Sequence, residues 1–393
     1  MTNPKKVAFL LANIDCGGIQ RVAINLLEPW SESADFSCQL VLAWGQGSYL
    51  SEIPPNVRVI DLKTPLEGRL KSLIKFLPIL IEYFREEKPD IVLANIPIAN
   101  FMTIIAKFFS GTRSRIILVE HTLFFNRMMA QELSTRSEQG TISPGKKWQL
   151  LPTILPYLLR WCYRQADTVV AVSGGIAREI EQDLRWQPGS VKVIYNPVTE
   201  RRFFSLSEEP LNYSWFQDAD VPVFLAVGRL VPQKDYGTLL RAFAQVRAVR
   251  EARLLILGEG PSRAELEALI QELDIGSDVG VPGFVSNPYP YMRQAEALVL
   301  SSVWEGLPTV LIEALASGCQ VVSTRCPHGP DEILAEGEYG WLVPMGEATA
   351  LARGMMQALD FPKDRQVLQA RGLEFSVEKA LIQYQQLIIN SSR

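Results

Sequence analysis

Short apolar runs with the length of β-strands alternate with helical stretches along this chain of 393 residues. Such alternation is typical of parallel sheets, because parallel neighbours need a crossover connection that is usually a helix. Seven strand-like runs precede residue 200, and six more follow the turn Asn196-Pro197-Val198. The pattern therefore restarts part-way along the chain. It predicts an α/β protein with two doubly wound parallel-sheet domains joined near that turn.

The predicted strands form two groups, one for each domain. Before the turn they cover Val7–Leu11, Cys38–Ala43, Val57–Leu62, Ile91–Asn95, Ile116–Glu120, Thr168–Ser173 and Val191–Tyr195. After it they cover Val223–Val227, Ala252–Leu257, Asp278–Val281, Ala297–Ser301, Gln320–Ser323 and Gly340–Val343. Since single hydrophobic cores stop growing at roughly 250–300 residues, the length also favours two domains.

The charge balance argues against a nucleic-acid-binding protein, whose affinity needs a concentrated basic face. The net charge is −4, and residues 1–200 carry 22 Lys and Arg against 19 Asp and Glu. Five scattered cysteines without a Cys-x-x-Cys pair, and two histidines, argue against a structural zinc site or a disulfide framework. The sequence shows no obvious carboxylate triplet for a catalytic metal either, so we expect metal independence.

Two glutamates, Glu305 and Glu313, surround a predicted helix start in the second half. The helix is expected over Thr309–Ser317, after a strand and a Gly/Pro break, with Gly318 at its end. Free amides at a helix start bind anions. Carboxylates beside such a site suit the neutral hydroxyls of a hexose and a ribose. The alternative is one acid that stabilises the helix dipole and one solvated glutamate.

Two cations, Arg229 and Lys234, follow the C-terminal end of the predicted strand Val223–Val227. In open α/β sheets, ligands bind at that edge. A guanidinium and an ammonium can neutralise a diphosphate leaving group without a metal. The alternative is that both are surface charges.

The first half offers two weaker candidates. Gly17 and Gly18 precede a helical run, so a ligand can approach their amides without a Cβ in the way. A tight turn explains the glycine pair equally well. His121 ends a strand directly after Glu120 and is placed at the edge where ligands bind, although a partly buried structural histidine is the usual outcome.

Four motifs occur together in the second half: the Glu-x7-Glu pair, Gly228-Arg-Leu with Lys234, Leu257-Gly-Glu-Gly-Pro261 and Asn287-Pro-Tyr-Pro-Tyr291. In combination they resemble the retaining glycosyltransferases of family 4, which have the GT-B fold. The resemblance covers nearly the whole chain and is most specific in the second half. It implies two Rossmann-like domains that face each other across a cleft. An acceptor-binding domain over residues 1–197 and a nucleotide-sugar-binding domain over 198–372 would be followed by a helix, within 373–393, that crosses back.

The resemblance also implies a role for each candidate residue. Arg229 and Lys234 would hold the donor diphosphate, Glu305 the donor sugar and Glu313 the ribose, while His121 would lie near the anomeric centre of the transferred sugar. Further donor-binding positions implied by the motifs are Gly17, Gly18, Gly228, Gly258, Phe284, Val285, Gly306, Leu307, Pro308, Thr309 and Val310. No cofactor is expected besides the nucleotide diphosphate sugar, which is a co-substrate.

The implied reaction moves a hexose or N-acetylhexosamine from a nucleotide diphosphate sugar, with a UDP-sugar favoured, to a saccharide acceptor. Polysaccharide, lipopolysaccharide or glycoconjugate biosynthesis would be the setting. Two alternatives stay open. One is a sugar-nucleotide epimerase or a phosphorylase of the same fold, and the other is a non-catalytic, membrane-associated subunit that keeps the fold to dock a partner enzyme.

The segment Lys146–Arg164 bears on the acceptor. It mixes four cations with Trp and Tyr side chains, as segments at a membrane interface do, although a helix that packs its apolar face on a sheet is an equal alternative. An inner-leaflet membrane surface would suit a lipid-linked saccharide acceptor. The uncharged stretches, such as the 16 residues of Ile91–Ala106, are shorter than the roughly 20 residues of a spanning helix. We therefore expect a cytoplasmic protein that attaches peripherally to the membrane.

Overall fold

A computed structural model of the protein describes residues 3–15, 17–66, 70–95, 97–121, 151–199, 202–218 and 220–389. The contacts within the chain divide it into two compact units. The first unit comprises residues 1–195 together with 381–393, and the second comprises residues 196–380. Each unit is built around one parallel sheet.

The first unit contains a seven-stranded sheet in the order β3-β2-β1-β4-β5-β6-β7, with every neighbouring pair parallel. Its strands are β1 Lys5–Leu11, β2 Phe36–Leu42, β3 Arg58–Asp61, β4 Ile91–Ala94, β5 Arg115–Glu120, β6 Thr168–Ala171 and β7 Lys192–Val193. The helices described for this part of the chain are α1 Gly18–Ser31, α2 Leu70–Glu87, α3 Pro97–Ser110, α4 Leu151–Arg164 and α5 Gly174–Leu184.

The second unit contains a six-stranded parallel sheet in the order β10-β9-β8-β11-β12-β13. Its strands are β8 Val223–Val227, β9 Arg253–Leu257, β10 Val279–Gly283, β11 Ala297–Leu300, β12 Gln320–Thr324 and β13 Trp341–Val343. The accompanying helices are α6 Phe203–Ser207, α7 Tyr236–Arg247, α8 Arg263–Glu272, α9 Tyr289–Gln294, α10 Thr309–Ala316, α11 Pro330–Ile333, α12 Ala348–Asp360 and α13 Arg365–Leu373.

The burial of the central strands explains why the strands could be predicted from the sequence pattern. All four residues of β4 are buried, and so are all four of β11. A parallel sheet has helices on both faces, so its inner strands read as continuous apolar runs. Each of the thirteen predicted strands overlaps an observed one, and the predicted α/β fold of two doubly wound parallel sheets is confirmed. Because all strands of a sheet run the same way, their carboxyl ends form one edge.

The last helix, α14 Val377–Ile389, enters the first unit. Tyr384 is buried there and lies edge-on to the buried Trp30, with 6.3 Å between the ring centroids. At the end of the helix, Arg115 donates hydrogen bonds to the carbonyls of Leu387 and Ile388 at 3.1 and 3.0 Å. A cation at these carbonyls also complements the negative end of the helix dipole. Residues 381–389 are thus part of the first unit's packing.

The segment that we singled out as interfacial is described in part. Residues 146–150 lie outside the described residues, and the remainder forms α4. Across the described part of the chain, each helix falls short of the length and apolar character that crossing a bilayer requires.

Candidate functional site

An ion pair lies at the carboxyl edge of the second unit's sheet. The ammonium of Lys234, in the loop after β8, donates to Oε1 of Glu305, in the loop after β11, at 2.7 Å. Both side chains are largely buried, with 17% of Lys234 and 8% of Glu305 exposed. Because β8 and β11 are neighbours in the sheet, their loops leave it side by side. The structure thus brings together two residues that the sequence separates by 71 positions.

The loop that carries Lys234 is fixed by its local geometry. A short 3₁₀ turn, Pro232–Lys234, ends at Asp235, which adopts the left-handed conformation with φ of 45°. The Asp235 side chain then caps α7 by accepting from the amide and the hydroxyl of Thr238, at 3.2 and 2.7 Å. An acceptor at a helix start satisfies amides that have no partner within the helix. The turn and the cap together set the direction of Lys234.

Backbone contacts join this loop to the one after β11. The side chain of Gln233 donates to the carbonyl of Trp304 at 2.8 Å, and the amide of Val303 donates to the carbonyl of Gln233 at 2.9 Å. The hydroxyl of Ser301 donates to the carbonyl of Lys234 at 2.7 Å. These contacts hold the two loops in register, so the ion pair is built into the fold.

Glu305 is held by neighbours that the sequence pattern did not single out. The Ser302 hydroxyl donates to the same carboxylate oxygen as Lys234, at 2.6 Å, and the Glu305 amide donates to the carbonyl of Pro327 at 3.2 Å. Thr324 donates to the carbonyl of Ser302 at 2.6 Å. The Ser302 contact could have been predicted from the sequence, because this serine lies only three residues before the glutamate. The contacts with Thr324, the last residue of β12, and with Pro327, in the loop after it, could not be predicted locally, because they depend on strand order.

Arg229, the second predicted diphosphate ligand, is exposed. Within the described residues its guanidinium has no hydrogen bond or ion pair, so it is available to an incoming anion at this edge. The preceding residue, Gly228, makes a close backbone contact with Gly258 after β9. A Cβ on Gly258 would lie 1.9 Å from the Gly228 carbonyl oxygen, and both glycines have φ of 156°, where side chains are rarely tolerated. Glycine is therefore required at position 258.

The helix start between the two glutamates agrees with the sequence prediction. Helix α10 spans Thr309–Ala316 and is followed by Gly318 in the left-handed region with φ of 74°. Its first turn carries no acidic residue, and within the described part of the chain its N-cap residue, Pro308, makes no side-chain hydrogen bond to its amides. Glu313 lies in the second turn and is half-buried. The buried residues Gly306, Leu307 and Pro308 form the turn that leads into the helix.

Sequence reasoning did not identify Gly329, in the loop after β12. Its φ is 91°, and a Cβ there would lie 2.5 Å from Cδ of Pro308 and 3.0 Å from Cα of Leu307. This loop therefore packs directly against the turn that precedes α10. In the sequence, the run Pro327-His-Gly-Pro indicates this turn, because a glycine close to two prolines favours a turn. His328 in the same run also has a positive φ, of 65°.

Phe284 and Val285 follow β10 at the same edge. Phe284 is 57% exposed, which leaves its ring accessible beside the strand end, and Val285 is half-buried. The end of β10 is fixed by Arg263, which donates to the carbonyl of Val281 at 2.7 Å and pairs with Glu259 at 2.5 Å. An accessible backbone and an exposed ring at this place can contact a flat ligand.

The first unit also gathers candidates at the carboxyl edge of its sheet. His121, directly after β5, is buried and hydrogen-bonds through Nε2 to Oδ1 of Asn95, which follows β4, at 3.2 Å. Gly18 begins α1, and Gly17 is its N-cap residue. The φ of Gly17 is −179°, which any residue adopts, and a Cβ there would meet the side chain of Gln20. The backbone conformation thus does not require glycine at position 17.

A buried carboxyl, to which the sequence analysis assigned no role, lies next to His121. Glu120 is fully buried, and its Oε1 accepts hydrogen bonds from Asn100 at 2.6 Å and from the hydroxyl of Tyr163. Burial raises the pKa of Glu120 to about 7, although both hydrogen bonds act in the opposite direction. Within the described residues, Oε2 has no hydrogen-bond partner. In the sequence, the burial of Glu120 is indicated by its place at the end of the apolar run Ile116–Val119.

Among the residues that the structure describes, no group of three or more His, Cys, Asp or Glu side chains is placed to hold a metal ion. The polar groups at the two sheet edges are instead cations, amides and isolated carboxylates. In the second unit they offer positive charge to an anion and a carboxylate to a hydroxyl. This is the chemistry that a sugar joined to a diphosphate requires.

Two family descriptions match successive parts of the chain. "Glycosyltransferase Family 4" matches residues 16–202, and "Glycosyl transferases group 1" matches residues 212–375. The lipopolysaccharide core biosynthesis glycosyltransferase LpsE of Rhizobium meliloti is 32% identical over 242 residues, which cover 60% of this chain and 67% of LpsE. The chain belongs to the family 4 glycosyltransferases.

Full-length relatives support the same assignment for this glycosyltransferase. A Campylobacter jejuni enzyme is 27% identical over 367 residues, 92% of each chain, and is named N-acetylgalactosamine-N,N'-diacetylbacillosaminyl-diphospho-undecaprenol 4-alpha-N-acetylgalactosaminyltransferase. The crystal structure of HepE from Anabaena in complex with UDP and glucose superposes with a TM-score of 0.73 at 21% identity, over 98% of this chain and 100% of HepE. The Campylobacter enzyme supports the glycosyltransferase class, and the superposition with HepE shows the GT-B fold, as the resemblance implied.

Proposed function

We propose that this glycosyltransferase moves a hexose or an N-acetylhexosamine from a UDP-sugar to a lipid-linked saccharide and retains the anomeric configuration. The observation that carries the proposal is the Lys234–Glu305 pair beside the exposed Arg229, at the carboxyl edge of the second unit's sheet. The names of relatives support the substrate classes. HepE was crystallised with UDP and glucose, and the Campylobacter enzyme is named for an undecaprenyl diphosphate acceptor.

The ion pair gives Lys234 a fixed position before any donor binds. Transfer builds negative charge on the departing diphosphate, and groups that are already oriented stabilise it without reorganisation. Lys234 supplies one fixed cation, Arg229 supplies a second that is exposed, and the uncapped amides at the start of α10 supply partial positive charge. Together these groups replace the charge that a metal would contribute in other transferases, so we propose a metal-independent reaction.

Glu305 has two tasks in this proposal. Its Oε1 holds Lys234 and accepts from Ser302, and the carboxylate faces the edge where the donor sugar would bind. A carboxylate accepts hydrogen bonds from sugar hydroxyls and so orients the ring. We assign Glu313 to the ribose, and the accessible backbone near Phe284 to the base.

Retention needs no protein nucleophile here. The bond from the anomeric carbon to the diphosphate oxygen breaks, the acceptor oxygen bonds to that carbon on the same face, and the leaving phosphate takes the acceptor's proton. We assign His121 to the transferred sugar. Substitution of His121 by alanine should then lower kcat and leave the affinity for UDP unchanged, whereas a purely structural histidine would lower the thermal stability instead.

Donor binding is tested by thermal shift with a panel of nucleotides and nucleotide sugars. A ligand at one hundred times its Kd stabilises a protein by about 2.7 kcal/mol, so a true donor gives a clear rise in Tm. Arg229→Ala should abolish the response to UDP without lowering the ligand-free Tm, because the side chain is exposed. The matched control is Arg353→Ala, also exposed, on α12. Equal responses from both variants would refute the assignment of Arg229.

The reaction itself is tested with the donor that gives the largest shift and a lipid-linked saccharide acceptor. Proton NMR of the product should show the same anomeric configuration as the donor, and the rate should persist in excess chelator. Inversion would rule out the proposed mechanism, and loss of activity in chelator would rule out metal independence. Conversion of the donor without any acceptor would instead favour an epimerase.

A further inference from the structure

The surface of the first unit exposes a group of aromatic side chains on two helices. Phe108 and Phe109, at the end of α3, are 68% and 59% exposed, and Tyr157 and Trp161, on α4, are 68% and 43% exposed. The ring centroid of Phe108 lies 6.3 Å from that of Trp161, so residues from the two helices form one patch. We call it the aromatic surface. Clustered exposed aromatic residues mark interaction sites, whereas scattered ones do not.

A basic cavity lies directly beside the aromatic surface. Its volume is about 610 Å³, and it is lined by residues 110–115 from the end of α3 to the start of β5, by Arg85 on α2, by residues 88–91 and by Lys5 at the start of β1. The two features share a contact, because Arg85 in the cavity donates to the carbonyl of Phe109 at 2.9 Å. The ionisable residues that line the cavity are the cations Lys5, Arg85, Lys88, Arg113 and Arg115 and one acid, Asp90.

These cations divide into two kinds. Lys5, Arg85 and Arg115 donate to carbonyls at the ends of helices, which explains part of the charge by structure alone. The side chains of Lys88 and Arg113 are exposed and make no hydrogen bond or ion pair within the described residues. The cavity therefore keeps a positive surplus that structural hydrogen bonds do not account for. An anion fits it.

We propose that the aromatic surface and the basic cavity form one docking site for an anionic bilayer. The aromatic rings would lie at the boundary between headgroups and acyl chains, where Trp and Tyr are favoured, and the cavity would receive a lipid phosphate headgroup. A bilayer supplies apolar surface and negative charge side by side, which matches the arrangement of Phe108, Trp161, Lys88 and Arg113. The inference rests on the lipid-linked acceptor of the proposed function, and it is separate from the donor site.

The site adds α3 to the segment that the sequence suggested. The pattern in Lys146–Arg164 accounts for Tyr157 and Trp161, but Phe108 and Phe109 come from another helix and were not expected at the surface. Both helix ends lie at the amino edge of the sheet, because α3 leads into β5 and α4 leads into β6. His121 and Asn95 lie at the opposite, carboxyl edge. Changes to the docking site are therefore not expected to alter the candidate active-site residues of this unit.

Vesicle co-sedimentation of the full chain tests the proposal. The protein should bind vesicles of phosphatidylcholine with phosphatidylglycerol and should bind phosphatidylcholine alone at least about tenfold more weakly, with added salt weakening the former. Lys88→Glu with Arg113→Glu should lower binding to the anionic vesicles at least about tenfold, since each cation near such a surface contributes a factor of roughly five. Phe108→Ser with Trp161→Ser should lower binding to both.

The matched control is Val249→Ser with Phe361→Ser, which removes two side chains of the second unit that are 75% and 72% exposed. It should leave vesicle binding unchanged. The Tm shift with UDP, measured for every variant, reports the donor site independently. Failure of the wild-type chain to bind anionic vesicles would overturn the docking site, and so would equal binding to neutral vesicles or retained binding by both pairs of substitutions. Absence of a UDP response with intact vesicle binding would count against the proposed function alone.

Discussion

The carboxyl of Glu120 should make the stability of the protein depend on pH in a defined direction. It is fully buried, and burial raises its pKa from the ordinary value of 4.5 to about 7. The folded state therefore favours the protonated form, while the unfolded chain ionises at lower pH. The stability that the group contributes is complete below about pH 4.5 and is lost as the pH rises through about 7.

The magnitude follows from the separation of the two pKa values. Each pH unit between them is equivalent to about 1.4 kcal/mol, so the interval from 4.5 to about 7 gives a loss of about 3 kcal/mol. Above pH 7 the contribution changes no further. Glu120→Gln keeps an acceptor for Asn100 and for the Tyr163 hydroxyl but cannot ionise. The variant should therefore lack this part of the pH dependence.

The assay is urea denaturation of wild type and Glu120→Gln at several pH values from about 5 to about 8. Subtracting the two free energies of unfolding cancels every other titrating group, so the difference should grow in favour of the variant by about 1.4 kcal/mol per pH unit and then level off near pH 7. The control is Glu272→Gln, an exposed glutamate on α8, whose curve should run parallel to wild type. Parallel curves for Glu120→Gln, or a difference that grows towards low pH, would refute the reasoning.

Two further predictions concern the second unit. Gly258→Ala should lower the Tm and abolish the Tm shift with UDP, because its Cβ would lie 1.9 Å from the carbonyl oxygen of Gly228. The control Gly346→Ala, with φ of 70° and open space around it, should lower the free energy of unfolding by about 1 kcal/mol and leave UDP binding intact. Equal effects in both variants would contradict the steric argument. Glu305→Gln should lower kcat at least about a hundredfold and the free energy of unfolding by about 1–3 kcal/mol, because Lys234 loses its charged partner, and near wild-type turnover would remove Glu305 from the site.

The sequence by itself determined the elements and their class. Apolar runs such as Ile91–Ala94 are buried on both faces of a parallel sheet, so they are continuous and can be recognised without knowledge of the partner strands. The start of α10 at Thr309 and its end before Gly318 could likewise be predicted from nearby residues, because a helix-breaking residue and a left-handed glycine act within a few residues. Arg229 and Lys234 could be placed at a ligand-binding edge for the same reason: both follow the end of a single strand.

The tertiary structure alone decided which of these residues meet. Lys234 pairs with Glu305 because β8 has β11 as one neighbour, with β9 on its other side, and no local pattern specifies that order. Glu120, at the end of β5, reaches Tyr163 on α4 across 43 positions, a contact that depends on how the helix packs against the sheet. The aromatic surface joins Phe108 to Trp161 through the packing of two helices. Local periodicity fixes which face of an element is apolar, whereas the long-range order of strands and helices fixes what that face or strand end touches.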